Sequence, residues 1–170
     1  MVIVSIGANL PGPHGTAPIE TCRRAAAAMD ARPGLRLRAL SRWYLTAPVP
    51  PSGQPPYVNA VAVLEAEPGA ADPEPAMLLA ALQAIEMREG RTRGAPNAAR
   101  TLDLDIIAMG PEGRLVRTAP DPVVPHPRTH ERAFVLVPLL EVVPGWVHPV
   151  LRRSVADLLR DLPPQAVRAL

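Results

Sequence analysis

Residues 2–6, Val-Ile-Val-Ser-Ile, are an apolar run too short for a helix and predict a buried strand, and the Gly- and Pro-rich residues 7–15 predict a loop. Ile19, Cys22, Ala26 and Met29 then recur at helical spacing, which predicts a helix with Thr16 as N-cap and Pro33-Gly34 as its stop. Leu35, Leu37 and Ala39 alternate with Arg36 and Arg38 and lead into Ser41-Arg-Trp-Tyr-Leu45, which predicts a second strand. Residues 46–56 hold Gly53 and repeated prolines and predict a semi-rigid surface loop. A strand over 57–65 places Asn59 on the same side as Tyr57. Asp72-Pro73 reads as N-cap and N1 of a helix that runs to about Glu89 and ends at Gly90. Its apolar stripe is Leu78, Leu82 and Ile85, with Gln83 and Glu86 on a more polar side.

The next segment is the decapeptide Arg100-Thr-Leu-Asp-Leu-Asp-Ile-Ile-Ala-Met109. Strand alternation puts Asp103 and Asp105 on one face and Leu102, Leu104 and Ile106 on the other. Two neighbouring carboxylates repel, so the face needs solvent, cations or a metal ion. Alternation alone leaves two readings open, a half-buried strand with a solvated acidic face and a metal platform. Residues 111–113 predict a hairpin with Leu115 and Val116 beyond it, residues 120–132 a second polar, proline-rich loop, and the remainder short strands. Ser154 caps a short closing helix over 154–159.

A chain of 170 residues suffices for one domain with its own core, and a single domain over 1–170 is expected. No apolar run approaches the roughly 20 residues of a membrane-spanning helix, and the N-terminus lacks a signal-peptide pattern. The single Cys22 fits a reducing compartment. A cytoplasmic protein with no membrane association is therefore expected, and a monomer is the expected state. All 18 basic residues are arginine. The absence of lysine excludes a P-loop lysine, a Schiff-base lysine and a lysine general base. A net charge of +2 does not argue for a nucleic-acid partner, so position matters more: Arg88, Arg91, Arg93 and Arg100 precede the acidic strand. Magnesium is commonly held by one or two carboxylates plus substrate phosphates, so the acids could bind metal and the arginines phosphate.

In this setting the sequence resembles the 6-hydroxymethyl-7,8-dihydropterin pyrophosphokinase family of folate biosynthesis. The resemblance is carried by Ser5-Ile-Gly-Ala-Asn-Leu10, by Thr46-Ala-Pro-Val49 with Gln54-Pro-Pro-Tyr-Val-Asn59, by Ile85-Glu-Met-Arg-Glu-Gly-Arg-Thr-Arg93, by Arg100-Thr-Leu-Asp-Leu-Asp-Ile106, and by Val124-Pro-His126 with Arg132-Ala-Phe134. It implies an α+β, ferredoxin-like sandwich with a mainly antiparallel sheet. It also implies transfer of pyrophosphate from ATP to the pterin alcohol, with two Mg2+ ions on Asp103 and Asp105. Arg91 and Arg93 match catalytic positions; Gln83, Glu86, Arg91, Arg93, Arg100, Ile106, His126 and Arg132 match positions around ATP. Thr46, Ala47, Val49, Tyr57, Asn59 and Phe134 match the pterin site, the two aromatics as the stacking pair. Read without the resemblance, Glu86 is a solvated helix residue, Phe134 a core residue, and His14, His130 and His148 loop or surface residues.

The chain also departs from the family pattern. It has Pro96-Asn-Ala-Ala99 where many members carry Arg-Trp-Gly-Pro before the matched arginine, and Pro127 where an aromatic is common. Arg88 or Arg128 could stand in for the missing arginine in loop closure. The rival functions are a non-catalytic pterin- or nucleotide-binding protein of the same fold and an RNA-binding module. The intact acid pair weighs against the first; acids amid the arginine cluster, together with scarce aromatics, weigh against the second.

Overall fold

The computed structural model describes residues 1–92 and 98–170. Its elements are β1 (Val2–Ala8), α1 (Pro18–Asp30), β2 (Leu35–Leu40), β3 (Tyr44–Thr46), β4 (Tyr57–Ala66), α2 (Pro75–Arg88), β5 (Asp103–Met109), α3 (Ala133–Val142), α4 (Val155–Asp161) and β6 (Val167–Ala169). The sheet runs β5-β1-β4-β3-β6, with β2 paired to the far end of β4, and all of its pairs are antiparallel. From β1 to β5 this is the expected α+β arrangement of ferredoxin-like type, with β2 and β3 sharing one place beside β4.

Period-two alternation sends the two sets of strand side chains into two cores. Val2, Val4, Ile6, Val58, Ala62, Leu64, Leu104 and Ile106 pack with Leu78, Leu82 and Ile85 of α2 and Cys22, Ala26 and Met29 of α1. On the other face Ile3, Val61, Ile107 and Ala108 pack with Val135, Leu136 and Leu139 of α3 and Val155 and Leu158 of α4. A bulge lies where the β1–β5 register shifts between Ile3 and Val4. It lets the consecutive residues Ile107 and Ala108 both join the second core.

Several expectations are corrected here. Both long helices start later than predicted, each on an X-Pro pair, a start expected for the second alone. Thr16 is not a cap; its hydroxyl bonds the Pro13 carbonyl at 2.7 Å, and α1 begins at Ala17-Pro18. Glu74, not Asp72, caps α2 by accepting from the Met77 N–H at 3.0 Å. The predicted strand over 35–45 is two strands separated by three residues. Residues 111–113 form a 3-10 turn and not a hairpin, and Val116 lies outside any strand. The apolar run after Phe134 is a helix, so the sheet carries helices on both faces. Ser154 does cap α4, accepting from the Asp157 N–H at 3.1 Å. His148 is buried, its Nδ1 accepting from the Val150 and Leu151 N–H groups beside Trp146, and so has a structural rather than a surface role.

Leu82 is 2% exposed within the first core, so Leu82→Ala is expected to destabilise the protein by about 2–5 kcal/mol, whereas Met77→Ala, at a position 66% exposed, changes stability by under about 0.5 kcal/mol. The midpoints of urea unfolding curves check both.

Candidate active site

The second face of the sheet is only partly covered by α3. Beyond the helix N-terminus the central strand presents Ser5 and Gly7 where it elsewhere presents Ile3, and these small residues form the floor of a cavity of about 400 Å³. Register fixes what stands around them. Gly7 lies opposite Asn59 on one side and Asp103 on the other, so Asn59, Gly7 and Asp103 form one row across three strands, and Ser5 and Asp105 lie side by side in the next. A Cβ on residue 7 would lie 2.8 Å from Asn59 Oδ1, so glycine here is a requirement of space.

The cavity has an uncharged wall and a charged one. Thr46, Ala47, Pro48, Val49, Pro50, Ser52, Gln54 and Tyr57 come from the proline-rich loop and its flanking strands, and Phe134 from the first turn of α3. Asn59 is buried and donates from Nδ2 to Thr46 Oγ1 at 2.6 Å, which leaves its amide oxygen beside Gly7. Burial pushes the Tyr57 phenol up, and its hydroxyl lies 3.2 Å from Gln54 Oε1. Asn9 ties this wall to the charged one. Its Nδ2 donates to Pro55 O at 3.1 Å and to Gln54 Oε1 at 3.3 Å, and its Oδ1 accepts from Arg100 N at 2.8 Å.

The charged wall holds Asp103, Asp105, Arg100, His126 and Arg132. Asp103 Oδ1 is bonded by Arg100 and, at 2.8 Å, by Arg91. Asp105 Oδ2 lies 3.5 Å from Arg132 Nη1 and 3.9 Å from His126 Nε2. Burial, reinforced by the like charge of Asp103, pushes the Asp105 carboxyl above the usual carboxylate range, against the opposing pull of His126 and Arg132. Burial holds His126 below the ordinary histidine value. Its backbone N–H is anchored on the Ile107 carbonyl at 2.9 Å and its Nδ1 accepts from the Arg128 N–H at 3.1 Å, so in the neutral ring the proton sits on Nε2, facing Asp105.

Glu86 and Arg91 stand behind this wall. Gly90, at φ +81°, ends α2 so that Gly90 N–H bonds Met87 O and Arg91 N–H bonds Glu86 O, a turn that folds Arg91 back over the helix end. The Arg91 guanidinium then bonds both Glu86 and Asp103. Glu86 is 5% exposed, and burial pushes its carboxyl up to about 7, opposed first by the bond from the Leu104 N–H and then by Arg91. The solvated-helix reading of Glu86 is therefore corrected.

Eleven of the residues singled out by sequence line the cavity: Thr46, Ala47, Val49, Tyr57, Asn59, Arg100, Asp103, Asp105, His126, Arg132 and Phe134. Glu86 and Arg91 reach it only through Asp103. Gln83 is exposed on α2 away from it, Ile106 is buried on the opposite face against α1 and α2, and Arg93 lies outside the described residues. So do most of the residues of the 94–99 loop. Ser5, Gly7, Asn9 and Gln54 were missed as individual sites, although all four stand in the quoted sequence blocks; pairing of β1 with both β4 and β5, once known, identifies the first two.

Oxygen donors make this site suitable for magnesium. Two carboxylates share one face and, among the described residues, no cluster of three or more His, Cys, Asp or Glu could hold a metal by itself. Such a donor set suits an ion that keeps waters and substrate phosphates among its ligands. The repulsion that raises Asp105 is of the kind a cation relieves.

The profile of the family described as 7,8-dihydro-6-hydroxymethylpterin-pyrophosphokinase (HPPK) matches residues 3–144. A 2-amino-4-hydroxy-6-hydroxymethyldihydropteridine pyrophosphokinase of Pseudomonas aeruginosa is 37% identical over 169 residues, covering 99% of this chain and 96% of its own. A Haemophilus influenzae protein of the same name is 36% identical over 86% of this chain and 83% of its own. The folic acid synthesis protein fol1 of Pneumocystis carinii is 33% identical over 76% of this chain, which corresponds to 16% of that longer protein. With the family profile spanning most of the chain and relatives of this identity over nearly its whole length, the chain belongs to the 7,8-dihydro-6-hydroxymethylpterin-pyrophosphokinase family.

Proposed function

We propose that this pyrophosphokinase of folate biosynthesis uses ATP as donor and binds its two substrates on the two walls of the one cavity. The observation that carries this reading is the row Asn59-Gly7-Asp103, which sets a hydrogen-bonding amide and a phosphate-side carboxylate on either side of a glycine. A flat heterocycle over Gly7 presents its polar edge to the Asn59 amide and to backbone groups near Thr46 and Ala47, with Tyr57 and Phe134 available for its faces. Its hydroxymethyl group then points along the sheet toward Asp103 and Asp105.

The triphosphate lies along the charged wall. Arg100, Arg132 and His126 line it, and Arg91 is oriented toward it by Glu86. Arg93, from the same block, is assigned to the phosphates by its family match alone. Asp103 and Asp105 would hold two Mg2+ ions, which when bound neutralise phosphate oxygens. The hydroxymethyl oxygen attacks the β-phosphorus; the new O–P bond forms as the bond from the β-phosphorus to the oxygen shared with the α-phosphate breaks, AMP leaves, and the hydroxyl proton passes to solvent. No nucleophilic side chain takes part. The protein holds the two oxygens in line, keeps water from the reacting phosphorus, and supplies positive charge where negative charge spreads. Gln83 and Ile106 do not face the cavity. Both are assigned to ATP by their family match alone.

The product distinguishes this reaction from its rivals: ATP and hydroxymethyldihydropterin should yield AMP, where a simple kinase gives ADP and a binding protein gives neither. Asp103→Asn and Asp105→Asn should each lower kcat by about 10²–10³-fold with an unchanged urea midpoint, and chelation of divalent cations should stop AMP release in the unaltered protein. Full turnover in either variant would remove the carboxylates from the mechanism. Gly7→Ala should act on the pterin wall alone, since the new methyl collides with Asn59 Oδ1; a rise in pterin KM of about tenfold, with ATP affinity by calorimetry within twofold of the original, is the expected result.

A further inference from the structure

An arginine occupies a position where a helix wants a cap. Arg132 is the N-cap residue of α3, with φ −121° and ψ 101°, and its side chain makes no capping bond. It is committed to the cavity instead, where Nη1 stands 3.5 Å from Asp105 and the guanidinium carbon 5.5 Å from the Phe134 ring centroid. Exposed N–H groups at a helix start need another acceptor. Gln165 supplies one from 32 residues downstream: its Oε1 accepts from the Ala133 N–H at 2.9 Å, and its Nε2 donates to the Glu131 carbonyl at 2.9 Å.

Those two groups belong to the residues on either side of Arg132. A primary amide carries an acceptor and a donor side by side on separate atoms, so a single Gln side chain can clasp a carbonyl and an N–H that flank one residue, whereas an ionised carboxylate has no donor for the carbonyl. The chain delivering Gln165 is itself restrained. It leaves α4 through Pro163-Pro164, whose rings fix φ and remove two N–H groups, and it continues into β6, where Val167 pairs with Thr46 of the pterin wall. Residues 165–169 thus span from the backbone at Arg132 to the strand bearing Thr46. This segment lies beyond residue 144, where the family match ends.

We propose that Gln165 is a positioning residue, acting through the backbone of residues 131–133 to hold Arg132 against the triphosphate and Phe134 against the pterin. The proposal rests on the assignment of Arg132 to the phosphate wall. A long, flexible guanidinium arm loses alignment if its backbone entry is free, and alignment is most of what this reaction asks of the protein.

The test is a double-mutant cycle in the full-length protein: Gln165→Ala, Arg132→Ala and both together, with AMP release measured against varied ATP and varied pterin, ATP affinity by calorimetry, and thermal unfolding of each. Gln165→Ala should lower kcat/KM for ATP about tenfold while the unfolding temperature falls by under about 3 °C, and in the Arg132→Ala background the same substitution should cost less than twofold. Gln165→Glu, which keeps the acceptor and loses the donor, should fall between. The calorimetric cycle gives the same comparison if Arg132→Ala turns over too slowly to measure. A Gln165→Ala enzyme within twofold of the original, or a tenfold loss that persists without Arg132, overturns the proposal while leaving Arg132 at the phosphates; a normal Arg132→Ala enzyme overturns the underlying assignment as well.

Discussion

Glu86 is a carboxylate buried at the edge of the sheet, and the charged wall depends on what it bonds. β5 is the outer strand beside β1, so the N–H of Leu104 points away from the sheet with no strand to receive it. Glu86 Oε1 accepts it at 2.7 Å. The bond closes the sheet edge, which would otherwise present an unpaired donor, and fastens the C-terminal turn of α2 to the strand between the two aspartates. A buried carboxylate is costly without partners; Leu104 and Arg91 supply them, and charge-assisted bonds of this kind contribute about 1.5–3 kcal/mol each. The turn at Gly90 then brings Arg91 to Asp103. One helix end therefore sets the height of the acidic strand and the direction of an arginine.

The uncharged wall is governed by a different constraint, the absence of side-chain volume along β1. Ile3, Ser5 and Gly7 are successive residues on one face; the first is covered by α3 and the other two are floor. The cavity exists because side chains shrink along the strand at the point where α3 begins. Asn59 occupies the room Gly7 leaves, and Thr46 fixes its amide by accepting one of its protons. The two walls are then joined at Asn9, whose single side chain bonds the proline-rich loop and the backbone of Arg100.

Much of this was legible in the sequence where a residue's role followed from its own strand or helix. β1 was read from its short apolar run, β4 and β5 from their strand patterns, and α1 and α2 from their stripes, with errors of a few residues at caps because Thr16 and Asp72, just upstream of the true starts, have acceptable cap chemistry of their own. What failed needed the third dimension. Residues 133–142, Ala-Phe-Val-Leu-Val-Pro-Leu-Leu-Glu-Val, are apolar nearly all round and contain Pro138, so a helix covered on most sides hid its own period. β6 has three residues and no pattern, and exists because β3 offers it an edge. Glu86 looks like a surface acid by helical phase; only its closeness to the β5 edge makes it a buried one. The resemblance assigned it to ATP, yet it reaches the cavity only through Arg91 and Asp103.

The placement of Arg132 shows how a site residue is freed for its work. The N-cap of a helix is normally a short polar side chain that bends back onto the first N–H groups. An arginine is too long and lacks an acceptor, so a helix that begins at an arginine must find its cap elsewhere or fray. In this chain the helix is capped from a distant segment, and the arginine extends into the cavity toward Asp105. The same logic holds at the other end of the charged wall, where Gly90 takes the left-handed conformation that a side chain would resist, so that Arg91 can turn inward. In both places the residue that points at the site is relieved of its local structural duty by another, and sequence windows that score a residue by its own neighbours are blind to the exchange.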